Sequence, residues 1–122
     1  MKIAIPTNDK CMEANVCPSF GRTPYFMIFD TDSKEAAFLD NSAAASQGGA
    51  GIKAAQNIVD SQVSVLITPR CGANAAEVIK AANIKIYKTM NDSILENMVA
   101  FSEGKLALLE EIHPGFHGSE GK

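Results

Sequence analysis

The hydrophobic period of this chain changes at Gly51, and that change limits the fold more than any single motif does. Before it, apolar residues come in short β-type runs. These are "KIAIPT", stopped by Pro6 and the turn-forming "TNDK", then "YFMIFD" and "EAAFLD", joined by the polar link "TDSK". A link of that length suits a hairpin, so the second and third runs are expected to pair antiparallel. From Gly51 onward, Ile52, Ala55, Ile58 and Val59 fall on one helical face, with Lys53, Gln56 and Asp60 elsewhere. "VSVLIT" then runs almost continuously apolar, as a strand covered on both faces does. "NAAEVIKAAN" returns to helical spacing through Ala75, Ala76, Ile79 and Ala82, and "IKIYK" alternates again. "SILENMVAFSEG" opens with Ser93 and Glu96 spaced as a capping box, aligns Ile94, Leu95, Met98, Val99 and Phe101, and stops at Gly104.

The element order is therefore β-β-β-α-β-α-β-α. Strand-helix-strand succession in the second half requires parallel pairing with right-handed crossovers, whereas the hairpin requires an antiparallel pair. The expected architecture is α/β, with a five-stranded mixed sheet flanked by helices. A chain of 122 residues that is 46% hydrophobic suits one domain with one core. Its net charge of -3 and scattered basic residues argue against a nucleic-acid surface, which needs clustered Lys and Arg. The apolar run before Pro6 is too short for a signal segment or a membrane span, so a soluble cytoplasmic protein is expected. Three cysteines in that compartment should remain thiols.

In open sheets of this kind, ligands collect where strand carboxyl ends meet helix amino ends, and unpaired backbone N–H groups there favour anions. Two stretches should lie at that edge: "DNSAAASQGGAG", residues 40 to 51, and "TPRCGAN", residues 68 to 74. In the first, Gly48, Gly49 and Gly51 open onto a helix and let the backbone approach a ligand. The stretch lacks both a Walker lysine and the G-x-G-x-x-G spacing, so a nucleotide is disfavoured and an anion is not.

In the second stretch, Cys71 follows the buried strand and precedes a helix expected to start near Asn74, with Asn74 as its cap and Glu77 three residues on. A helix amino end and the adjacent Arg70 should favour its thiolate. As a nucleophile Cys71 lacks a base, since both histidines, His113 and His117, are in the tail. As a metal ligand its thiol partners are Cys11 and Cys17, whose C-x5-C spacing is not that of a zinc knuckle. A soft contact to a metal-sulfur cluster and a plain packing role both stay open. "CPSFGR" is C-x4-R before a strand, not the C-x5-R before a helix that cysteine phosphatases use. Its Phe20 should anchor the loop, Gly21 turn it, and Arg22 meet an anion or a neighbouring carboxylate. In the tail, His113 and His117 have H-x3-H spacing, but Pro114 and Gly115 forbid a regular helix, leaving two solvated histidines or a two-ligand metal contact.

Several fragments together resemble the dinitrogenase iron-molybdenum cofactor biosynthesis family, which includes NifX-like and NifB carboxy-terminal domains and the orange protein. They are "SFGRTPYFMIFD", the "GGAGI" opening of the first helix, "CGANAAEVIKAANIKIYK" and "AFSEGKL". The resemblance spans Met1 to about Leu106, which sets a cluster-binding domain at 1–106 and a flexible tail at 107–122. It implies a ribonuclease H-like fold and a non-catalytic carrier or chaperone of a metal-sulfur cluster, whether an iron-sulfur cluster, an FeMo-cofactor precursor or a Mo-Cu species. A cluster-donor or acceptor protein would be its partner. The family motifs fall on Phe20, Gly21, Arg22, Pro24, Tyr25 and Phe26, on Gly49, Gly51 and Ile52, and on Gly72, Asn74 and Ala75. Many members carry a histidine near the glycine loop, where this chain has Ser46 and Gln47.

The expected cargo contacts are thus Arg22, Gly48, Gly49, Gly51, Arg70, Gly72 and Asn74. Cys71, Cys11 and Cys17 are candidate thiolate ligands, and His113 and His117 are further candidates in the tail. The competing readings are a metal-free protein-interaction module on the same fold and a cysteine-dependent enzyme using Cys71.

Overall fold

The computed structural model describes residues 1–45 and 48–109. The strands are β1 (Lys2–Thr7), β2 (Tyr25–Asp30), β3 (Glu35–Asp40), β4 (Val65–Thr68) and β5 (Lys85–Lys88), and the helices are α1 (Ala50–Asp60), α2 (Ala73–Ala81) and α3 (Ile94–Ser102). They form one mixed sheet in the order β3-β2-β1-β4-β5. The β1/β2 and β2/β3 pairs are antiparallel, and β1/β4 and β4/β5 are parallel, as the two hydrophobic periods require.

Because side chains alternate across a strand, each strand feeds two cores. Ala4, Phe26, Leu66 and Ile86 point to the face covered by α1 and α2, which contribute Ala54, Ala55, Ile58, Ala75, Ala76 and Ile79. Ile3, Ile5, Met27, Val65 and Ile67 point to the other face, where Ile94 is buried and Met98 and Phe101 pack beside it. All of β4 is buried, which explains its unbroken apolar run. The α1 and α2 helices meet largely through small residues, so they can lie close together.

Three helical expectations need correction. Ile52 is 41% exposed, because it lies in the first turn of α1 beyond the sheet edge. Leu95 and Val99 are exposed while Ile94, Asn97 and Ala100 are buried, so the inward face of α3 is rotated from the purely apolar one. Ala82 terminates α2 as an exposed cap residue. The Ser93 hydroxyl does accept the Glu96 N–H at 3.0 Å, but the Glu96 carboxylate bonds Asn91, whose own side chain accepts the Ser93 N–H. Asn91 thus replaces the second half of the capping box.

Beyond residue 106 the chain continues along β5: Lys88 N–H donates to the Ala107 carbonyl, Leu109 N–H to that of Ile86, and Leu109 is buried. His113 and His117 lie outside the described residues.

Candidate functional site

β1, β4 and β5 run parallel, so their carboxyl ends define one sheet edge, and the start of β2 joins it because Tyr25 pairs with Thr7. The loops 8–24, 41–49 and 69–72 all leave from this edge. Two buried threonines mark equivalent exits. Thr7 donates to the Asp9 carbonyl and Thr68 to that of Arg70, each bond 3.0 Å long and each turning the chain out of its strand.

Between these loops lies an open cleft of about 830 Å³. One wall is Pro18–Gly21, a second is Gly49–Ile52 at the start of α1, and the third is Arg70–Ala75 at the start of α2. The first wall is fixed from behind. Phe20 is buried against Phe26 with ring centroids 5.3 Å apart, and the buried Asn41 amide donates to the carbonyls of Gly21 at 3.1 Å and Thr23 at 2.9 Å. The Asn41 carbonyl oxygen in turn accepts from Asn57 on α1 at 3.2 Å, tying the loop to the helix that faces it.

Both helices present their amino ends to the cleft without a side-chain cap. At α1 the cap residue is Gly49, in the left-handed region with φ 68°. At α2 it is Gly72, so the helix starts at Ala73 and Asn74 sits within its first turn, where it is exposed to the cleft and does not serve as the cap. Each helix start carries first-turn N–H groups that have no partner within the helix and roughly half a positive charge from the aligned peptide dipoles. Arg70 adds a full charge on the same rim.

Cys71 lines the cleft but is only 5% exposed. Burial pushes its thiol up to about 11, with Lys80 pulling more weakly the other way. The thiol form is favoured instead of the expected thiolate, because desolvation by the surrounding apolar core outweighs the opposing charge of Lys80.

Of the residues singled out from sequence, Gly49, Gly51, Arg70, Cys71, Gly72 and Asn74 line this one cleft. Gly48 is exposed at the approach to α1. Arg22 is drawn aside, its guanidinium donating to the Ala44 carbonyl at 3.0 Å. Cys17 is buried near the loop base, with its Sγ 3.7 Å from the Ser19 carbonyl oxygen, and Cys11 is exposed in the preceding turn. Neither lines the cleft with Cys71, and among the described residues no three Cys, His, Asp or Glu side chains gather as a metal site. Sequence reasoning did not single out Ser19, Ala50 or Ala73 as cleft residues. They enter because the backbone at the helix starts and the loop forms the wall, and only the "SFGR" and "GGAGI" motifs hint at that.

The fold and site define a class: a small α/β domain whose cleft, at the carboxyl edge of a mixed sheet, is built from two uncapped helix starts and suits an anion. Within it, a family model described as dinitrogenase iron-molybdenum cofactor matches residues 1–104, and the chain belongs to that family. It is similar to an uncharacterized protein of Methanocaldococcus jannaschii, at 33% identity over 113 residues, covering 90% of this chain and 92% of the relative. Its fold is similar to the apo form of the orange protein from Desulfovibrio gigas, with a TM-score of 0.84 at 28% identity over 89% of this chain and 92% of that one. It is also similar to a provisionally assigned NifB protein of Thermotoga, with a TM-score of 0.81 at 35% identity over 94% and 98% of the two chains. Among the described residues, no helix is long and apolar enough to cross a membrane.

Proposed function

We propose that this protein is a carrier that holds an anionic metal-sulfur cluster as cargo in the cleft between α1 and α2 and passes it between a donor and an acceptor protein. The observation that carries this reading is the convergence of two uncapped helix amino ends, Arg70 and the Cys71 sulfur on one open cavity. Backbone N–H groups and helix dipoles offset a cluster's negative charge, and a preformed cluster presents sulfide or oxo atoms that accept hydrogen bonds. Cys71 is the one sulfur on the cleft wall among the described residues. Ligation by it requires loss of a proton from a thiol that is neutral near pH 7, so loading through Cys71 releases a proton and improves as pH rises. Membership of the iron-molybdenum cofactor family supports a molybdenum- or iron-containing sulfide cluster as the cargo class.

A carrier also fits the chemistry better than a cysteine enzyme. A buried thiol raised to about 11 is a poor nucleophile at neutral pH.

The test is anaerobic reconstitution with iron and sulfide, or with tetrathiomolybdate and copper, followed by visible absorption after desalting. Wild type should retain a chromophore, Cys11→Ala should match it, and Cys71→Ala should retain less. No chromophore under either condition would sink the carrier reading.

A further inference from the structure

The Pro18–Gly21 wall of the cleft is held differently from the other two. Those are helix starts, and the helices behind them are seated in the core through residues such as Ile58 and Ile79. The Pro18–Gly21 wall is the middle of a loop whose two ends are pinned to neighbouring residues of β1. At one end the Cys17 N–H donates to the Pro6 carbonyl at 2.9 Å, and at the other the Thr23 hydroxyl donates to that of Thr7 at 2.9 Å. A loop with such a stem can tilt about it as one unit. Its tip is Gly21, which lies against the main chain of Ala50 and Gly51 at the start of α1. The Asn41 side chain holds the tip there. Its amide donates to the Gly21 and Thr23 carbonyls, and its oxygen accepts the Ala43 N–H at 3.3 Å and the Asn57 amide at 3.2 Å. A residue only 5% exposed thus uses both donors and both lone pairs of its amide to join the loop to α1. Phe20, next to the tip, belongs to the same core as Cys71, and both line the cleft. Lifting the tip draws Phe20 out of the core that buries the thiol.

We propose that residues 18–22 form a flap over Cys71 and that Asn41 is its latch, a positioning residue that acts through Gly21. Latched, the flap keeps the thiol from solvent, which accounts for a sulfur that lines an open cleft and is still buried. Lifted, it bares that sulfur to whatever occupies the cleft. The flap stands on the loop's own hydrogen bonds, whereas its effect on cargo rests on the carrier reading and deepens it. The flap opens to admit or release the cluster and, once latched, holds it against the two helix starts, so Asn41 sets how long cargo stays.

The experiment compares wild type with Asn41→Asp, Asn57→Ala and Asn97→Ala. Asn41→Asp keeps the side-chain shape and removes both donated bonds, and Asn57→Ala removes the anchor on α1. Asn97→Ala is the control, because it lowers stability from α3, on the opposite face of the sheet. Alkylation of the native, cargo-free proteins, mapped to Cys71, should be about tenfold or more faster in Asn41→Asp, and faster by a smaller factor in Asn57→Ala. In Asn97→Ala it should stay within about twofold of wild type, because local opening and not global unfolding exposes the thiol. Release of bound tetrathiomolybdate, followed by visible absorption, should quicken in the same order. Wild-type labelling rates in both Asn41→Asp and Asn57→Ala would overturn the flap. So would labelling of Cys71 that rises in Asn97→Ala as it does in Asn41→Asp, since the thiol would then open with the whole fold. If Asn41→Asp does not fold, Asn57→Ala against Asn97→Ala decides the same question. Faster labelling with unchanged release would overturn the flap's hold on cargo. If wild type retains neither tetrathiomolybdate nor a reconstituted iron-sulfur cluster, the carrier reading fails, while the labelling comparison still decides the flap.

Discussion

A Cβ placed on Gly21 would stand 2.9 Å from the amide nitrogen of Gly51 and 3.0 Å from its Cα. The loop after β1 and the first turn of α1 thus touch backbone to backbone, which brings two walls of the cleft together. A methyl group at position 21 meets main chain, which cannot rotate away as a flexible side chain would. Gly21→Ala should cost about 1–3 kcal/mol, as overpacked sites do, and should also weaken cargo loading by displacing the loop. Gly51→Ala serves as its counterpart, because a Cβ there would lie 3.7 Å from that of Ala75, an ordinary contact inside a helix. Its stability should be unchanged or raised by up to about 1 kcal/mol, since alanine is the better helix former. Chemical denaturation of the two variants checks the opposite signs.

The buried thiol of Cys71 makes stability depend on pH in a stated direction. Its pKa is raised from 9.0 to about 11 by desolvation, so the folded state holds the proton more tightly than the unfolded chain does. Such a group contributes stability that is whole below about pH 9 and is lost as pH rises through about 11. The loss should be on the order of 2 kcal/mol. Lysines titrate in the same range, so the measurement is the difference in slope between wild type and Cys71→Ala from about pH 8 to pH 11. Parallel curves would show that the thiol titrates alike in both states.

How far the sequence could be read follows from which facts are local. The strands and helices were legible because Ile3, Ile5, Leu66 and Ile79 sit in short-range periods that report their own burial. The sheet edge was legible too, because the alternation of strand and helix dictates where the glycine loop and the Cys71 turn must lie. The state of Cys71 was not, because its burial comes from chain segments far apart in sequence that share its core, including Phe20 and Ala55. Arg22 shows the same limit: the carbonyl that draws it aside belongs to Ala44, 22 residues away. The first wall of the cleft depends on Asn41, a residue that sequence reading leaves inside a small-residue linker and that the fold uses to bind two carbonyls of another loop.

The three thiols should separate in reactivity by exposure alone. Cys11 is exposed, while Cys17 and Cys71 are buried. Brief alkylation of the native protein at about pH 8 should therefore label one site per chain, and denaturation should release the other two. Peptide mapping should place the first label on Cys11. Early labelling of Cys71 would contradict its burial and revive the nucleophile reading. After cluster loading, the rate at Cys11 should stay the same, because Cys11 does not line the cleft.

On α3, the sequence pattern and the fold disagree about which side chain matters, and mutation should follow the fold. Val99 looks like a core residue but is 55% exposed, whereas Asn97 looks like a surface residue and is fully buried. The Asn97 side-chain carbonyl accepts the Met90 N–H at 2.8 Å, and its amide donates to the carbonyls of Ser93 at 2.7 Å and Asn91 at 2.9 Å. These bonds hold the turn between β5 and α3 against the helix. Asn97→Ala leaves the part-buried Met90 N–H and Asn91 carbonyl without this partner, while the Ser93 carbonyl keeps the Asn97 backbone N–H, so a loss of about 1–3 kcal/mol is expected. Val99→Gln changes only an exposed position and should stay within about 0.5 kcal/mol of wild type. Urea titration of both variants decides the matter: a larger loss for Val99→Gln would mean that the outer face of α3 is covered in solution.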